Sequence, residues 1–97
     1  QAVPYHEEAY EMADMGFIPA GAYRNRDFAE AGVRVVGAVA RALQDIFYDP
    51  QTSGGLLCAV PAAEAEGCLA ELRTVAPSTQ IIGYVTEKLD SAIYLEA

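Results

Sequence analysis

Positive charge is scarce in this 97-residue chain: six Lys and Arg stand against fourteen Asp and Glu, a net charge of −8. Such a field repels phosphate backbones instead of recruiting them by counterion release, so nucleic acid is not expected as a partner. Long apolar runs are missing too. No stretch approaches the roughly 18 residues of a spanning helix, and no charged start leads into a small-residue cleavage site, so no membrane span, no signal peptide and a cytoplasmic setting are expected. There are two cysteines, Cys58 and Cys68, without metal-type spacing; they are read as buried thiols and not as a disulfide. The single histidine, His6, has no identifiable Ser or Cys partner, which points to helix capping or exposure and away from catalysis. Glu7 and Glu8 are adjacent on a helix and point apart, so they are solvated carboxylates and no acid-base pair. A Gly-Lys-Ser/Thr sequence is absent, which excludes a P-loop.

What the chain does have is apolar substance: 53% of its residues are hydrophobic. That excludes disorder and supports one domain, although a core of this size buries only about 60% of the unfolded chain's surface. The sequence begins at Gln1 without Met, and its first elements read as if they start in mid-domain. The expectation is therefore that residues 1–97 are a single partial domain of a larger two-domain protein.

Ala9, Met12, Ala13 and Met15 share a helical face, giving a helix over 6–15 with Gly16 as a left-handed cap. Residues 17–31, with Pro19, Gly21 and a polar Arg24-Asn25-Arg26-Asp27 group, read mainly as loop, Asp27 capping a brief turn through Glu30. Val35, Val39, Ala42, Leu43 and Ile46 predict a helix over 38–47, weakened at its start by Gly37. Residues 55–60 form a short apolar run bounded by breakers and predict a buried strand. Pro61, Glu64 and Glu66 at the entrance, Leu69, Leu72 and Val75 along one stripe and Pro77 at the exit predict a helix over 62–75. Residues 80–87 and 92–96 then read as an antiparallel hairpin around a turn at 88–91. The fold class is α+β, with helices layered on a mixed or antiparallel sheet, partly ferredoxin-like, ending in β-α-β-β.

The most distinctive string is Asp49-Pro50-Gln51-Thr52-Ser53-Gly54-Gly55-Leu56-Leu57. Asp and Pro initiate a turn, Thr52 and Ser53 carry short hydroxyls, and the Gly pair permits positive φ or close backbone approach. This DPQTSGGLL string resembles the signature near the C-terminus of the selenophosphate synthetase (selenide, water dikinase) family, within the aminoimidazole ribonucleotide synthetase-related superfamily. Val3-Pro4, the Glu-rich helix, Gly16 to Pro19 and Gly21 to Asn25 with its Arg-Asn pair extend the resemblance over essentially the whole chain.

The resemblance implies an ATP-dependent phosphotransferase, assisted by Mg²⁺ and acting as a homodimer, that makes selenophosphate from selenide, ATP and water with release of AMP and orthophosphate. It also implies that the nucleophilic Cys or selenocysteine, its neighbouring Lys and most metal-binding aspartates belong to an N-terminal domain. A Thr-Asp-Val-Thr-Gly-Phe-Gly type segment with a further aspartate does not occur here. No catalytic or metal residue transfers onto this sequence, and the fragment alone is expected to be inactive, forming one wall of the ATP cleft. Thr52, Ser53, Gly54 and Gly55 are the candidates for nucleotide or product phosphate contact; a turn with purely structural glycines is the other reading, and both stand. Asn25 is a candidate for a cleft or loop-fixing hydrogen bond. Arg24, Arg26, Arg34 and Arg41 cluster in sequence, either as a positive patch or as partners of Asp27, Glu30 and Asp45 on a solvated face. Two rivals remain: a non-catalytic acidic interaction module of the same fold, and another ATP-dependent enzyme of the superfamily.

Overall fold

A computed structural model describes residues 2–97, which divide into two compact units: Tyr5–Ser53 with Glu87–Ala97, and the stretch up to Pro4 with Gly54–Thr86.

In the larger unit, helix α1 spans Glu7–Asp14, with Glu7 and Glu8 in its first turn where the helix dipole favours negative charge. Gly16, at φ +86°, ends it as the sequence predicts. The Gly16 amide donates to the Ala13 carbonyl at 3.0 Å and the Phe17 amide to the Met12 carbonyl at 2.9 Å. These two bonds constitute a Schellman cap. Helix α2 occupies Ala20–Ala29 and runs into a 3₁₀ turn, Glu30–Gly32. The expected loop over 17–31 is thus mostly helix. Poor helix formers such as Gly21 and Asn25 hide it from propensity, but tertiary contacts described below hold it.

Strand β1, Val33–Val36, follows. Gly37, at φ +79°, then turns the chain toward helix α3, Arg41–Phe47. The helix expected from residue 38 therefore starts later, and Val35, which fits its periodicity, belongs to a β-branched strand instead. Helices α1 and α3 pack on each other. The buried apolar positions are all alanines: Ala13 on α1, Ala22 on α2 and Ala42 on α3.

The second strand of this unit, Ile93–Glu96, pairs in parallel with β1, in the register Val33↔Ile93 through Val36↔Glu96. The Ala92 amide continues the ladder to the Gly32 carbonyl at 2.9 Å. This corrects the antiparallel hairpin read from the sequence: the partner of 93–96 is β1, far away in the chain, and not 80–87. Among the described residues the architecture is α+β, four α-helices with a two-stranded parallel sheet.

The smaller unit centres on helix α4, Ala65–Arg73, entered through a 3₁₀ turn at Ala62–Glu64 behind Pro61. Arg73 in its last turn donates from Nε to the Thr79 carbonyl at 3.0 Å and from Nη2 to Gln80 Oε1 at 2.8 Å, tying down the exit. Residues 55–60 and 80–87, expected as strands, carry no ladder in the structure. Apolar composition marks a strand only when a neighbouring chain supplies the other half of each ladder bond, and none is present for these runs. In keeping with this, Cys58 is exposed and not buried as expected, while Cys68 on α4 is half-buried. With β2 numbered for Ile93–Glu96, the chain order is α1-α2-β1-α3-α4-β2.

Candidate functional site

The Asp49–Ser53 turn leaves directly from the end of α3, and one face of α2 is built against that exit. Gly21, Ala22, Asn25 and Arg26 recur at one-turn spacing and so share this face. Ala22 is 2% exposed. At Gly21 the approach is closest: a Cβ there would lie 2.7 Å from Pro50 Cγ, nearer than real Cβ atoms come to a neighbour. Only glycine lets the Pro50 ring sit on the helix. One turn on, Asn25 Nδ2 donates to the Tyr48 carbonyl at 2.9 Å. Tyr48 is the C-cap of α3, so Asn25 supplies a donor for one of the carbonyls a helix end leaves without an intrahelical partner.

Arg26 lies beneath this contact. Its guanidinium pairs with Asp45 of α3, and both residues are buried, at 8% and 7% exposure. The guanidinium carbon also sits 5.1 Å from the centroid of the Tyr48 ring, a cation–π geometry. Arg41, one turn before Asp45 on α3, brings Nε to 3.4 Å from the same carboxylate oxygen, with its side chain 68% exposed. Two guanidiniums therefore converge on one carboxylate. Desolvating such charges is costly, and the pairing offsets that cost only while both signs are present.

The cluster of arginines read from the sequence is thus no continuous patch. Arg26 is internal, Arg41 shares its partner, Arg34 reaches Asp90 at 4.0 Å on an exposed surface, and Arg24 is exposed. Asp45 is a partner as expected, but in the interior and not on a solvated face. A groove of about 380 Å³ opens beside the pair, lined among others by Arg26, Asp27, Glu30, Val35, Arg41 and Gln44. Its acidic members offset its arginines, so it lacks the surplus positive charge that a polyphosphate site requires.

The turn itself is closed by backbone bonds: Tyr48 to the Asp45 carbonyl and Asp49 to the Ile46 carbonyl, each 3.1 Å, and Gln51 to the Asp49 carbonyl at 2.9 Å. Thr52, Ser53, Gly54 and Gly55 are all exposed. The positive-φ glycines among the described residues are Gly16 and Gly37, so the Gly54-Gly55 pair is not held in a left-handed conformation. Around Gly55, no atom lies within 4 Å of where a Cβ would stand. Close approach is seen at Gly21 against Pro50, while Gly55 stands clear. The sequence signal for it was the Gly inside a helix-compatible segment, legible only once α2 is known.

Among the described residues no group of three or more His, Cys, Asp and Glu could hold a metal ion. The chain has a single lysine, Lys88, in an exposed irregular segment. These residues do not fit an ATP–Mg²⁺ centre, which needs cations and carboxylates converging on the phosphates.

The geometry defines an α+β segment whose signature turn is mounted on a helix face. Selenide, water dikinase from Pelobacter propionicus is 47% identical over 97% of the chain, and that from Clostridioides difficile 48% identical over 89%. Selenide, water dikinase 2 of Peptoclostridium acidaminophilum is 45% identical over 94%. The matches take up 27%, 25% and 26% of those proteins, so the chain spans about a quarter of the length of the curated relatives it matches. Over that span the chain is similar to the selenide, water dikinases, as expected for a C-terminal part of one. No family model matches the chain. No solved structure matches it either. No helix among the described residues is long and apolar enough to cross a membrane.

Proposed function

We propose that the protein containing this chain is a selenide, water dikinase, forming selenophosphate from selenide, ATP and water with release of AMP and orthophosphate, and that residues 1–97 are part of its C-terminal domain. The observation that carries this reading is identity of 45–48% to dikinases over nearly all of the chain, the signature turn included. ATP and Mg²⁺ are bound chiefly by the rest of the protein, since the groups that would hold them are lacking among the described residues. Thr52, Ser53, Gly54 and Gly55 face the ATP cleft and offer hydroxyls and amides to phosphate oxygens. Their exposure, and the lack of any side-chain hydrogen bond for Thr52 and Ser53 among the described residues, support this. Asn25 acts by fixing the turn, as its bond to Tyr48 suggests.

Residues 55–60 and 80–87 become strands of a ferredoxin-like, partly antiparallel sheet when paired with chain from the rest of the protein. Leu56 and Val85, 95% and 90% exposed, are the side chains such a sheet would cover. Further proposals are a homodimer and a cytoplasmic location, the latter in keeping with two free thiols. The test is the whole protein encoded by the gene: it forms AMP from ATP only when selenide is present. The 97-residue chain alone shows no micromolar affinity for Mg-ATP by calorimetry. ATP turnover independent of selenide would refute the assignment, and tight binding by the isolated chain would refute the division of labour.

A further inference from the structure

We infer that the face of α2 bearing Gly21, Asn25 and Arg26 is a clamp that sets the position of the Asp49–Ser53 turn, with Gly21 a positioning residue matched to the ring of Pro50. Three independent contacts converge on six consecutive residues. Gly21 admits Pro50, Asn25 holds the Tyr48 carbonyl, and Arg26 engages both Asp45 and the Tyr48 ring. The contacts differ in kind: steric fit, a neutral hydrogen bond and a buried ion pair. Together they restrain the last turn of α3 in position and twist and reach along the chain as far as Pro50, beyond which none of them extends. Thr52 and Ser53 follow within three residues. The clamp therefore fixes where the hydroxyls begin without occupying them, as a ligand-facing turn requires. That last step rests on the reading of Thr52 and Ser53 as nucleotide-facing; the clamp itself does not.

The steric contact supplies a test by compensation. Gly21→Ala places a methyl 2.7 Å from Pro50 Cγ but only 3.4 Å from Pro50 Cβ, so shortening Pro50 to Ala removes the conflict. Hydrogen exchange by mass spectrometry on the whole protein would compare wild type, Gly21→Ala, Pro50→Ala, the double variant and Asn25→Ala. Gly21→Ala is expected to speed exchange of the Tyr48, Asp49 and Gln51 amides about tenfold, and the double variant to return within about twofold of Pro50→Ala. Asn25→Ala loosens the same amides without touching the Gly21 contact, so it carries the test if Gly21→Ala does not fold. Unchanged exchange in Gly21→Ala and in Asn25→Ala, or no reversal in the Gly21→Ala/Pro50→Ala double variant, overturns the clamp. In the same proteins the KM for ATP in selenide-dependent AMP formation is expected to rise about tenfold in Gly21→Ala and recover in the double variant. Exchange that follows this pattern while KM stays flat would leave the clamp standing and remove the nucleotide-facing role of the turn. A wild-type protein without selenide-dependent AMP formation would overturn the dikinase reading and leave the exchange result decisive for the clamp.

Discussion

Asp45 carries more electrostatic responsibility than any other side chain among the described residues, since it neutralises Arg26 in the interior and also draws in Arg41. Replacing it with Ala leaves the Arg26 guanidinium buried without a counter-charge, at a cost of about 3–5 kcal/mol. Replacing both partners with apolar residues, Arg26→Met with Asp45→Leu, removes the charge along with its desolvation and is expected to cost much less. Melting temperatures of the whole protein would check the order: Asp45→Ala lowest, the double variant between it and wild type. A double variant as unstable as Asp45→Ala would show that the cation–π contact with Tyr48, and not the ion pair, supplies most of the stability. Residue types alone revealed that Arg26 and Asp45 could pair, because opposite charges at compatible positions are visible in any sequence. Burial was not visible, because it depends on α2 being a helix and on Ala22 and Ala42 lying beside the pair at helical spacing.

Helices α1 and α4 were legible because each combines an apolar periodicity with punctuation: Gly16 after α1, Pro61 before and Pro77 after α4. Helix α2 has weak periodicity and contains Gly21, so propensity argued for loop; contacts to Pro50, Tyr48 and Asp45 outweigh that preference. The pairing of β1 with Ile93–Glu96 could not be read locally either, since a parallel ladder joins residues about sixty positions apart and its register is set by tertiary packing. Where local chemistry does decide, it is testable on its own. Gly16 has φ +86° and no atom within 4 Å of a prospective Cβ, so substitution there meets only backbone strain. Gly16→Ala should cost about 1–2 kcal/mol, and Gly16→Asn less, since Asn visits the left-handed region more readily. Chemical unfolding of the three proteins checks this ranking; equal stability of the Ala variant and wild type would mean that the Schellman cap contributes nothing.

Among the described residues the buried apolar positions are three alanines, residues such as Leu43, Ile46 and Leu69 are half-buried, and many large apolar side chains are exposed, Phe28 at 91% and Leu56 at 95% among them. Covering such a side chain contributes about 1.5–3 kcal/mol, so several of them together favour association strongly. Opposing this is a net charge of −8, whose repulsion between copies reaches only about 8 Å at physiological salt. The two effects separate by ionic strength, since added salt screens the repulsion and leaves the apolar attraction in place. Sedimentation of the isolated 97-residue chain should therefore show self-association at micromolar concentration that strengthens from low to physiological salt. Leu56→Glu with Val85→Glu should weaken it, because both changes remove apolar surface and add charge. In the whole protein, where the dikinase reading has these runs paired into a sheet, the same two substitutions act differently. There they bury charge, and loss of stability replaces gain of solubility. A monomeric isolated chain at every salt concentration, or a whole protein indifferent to both substitutions, would mean that residues 55–60 and 80–87 are surface in the mature fold, and the proposed sheet would have to be abandoned.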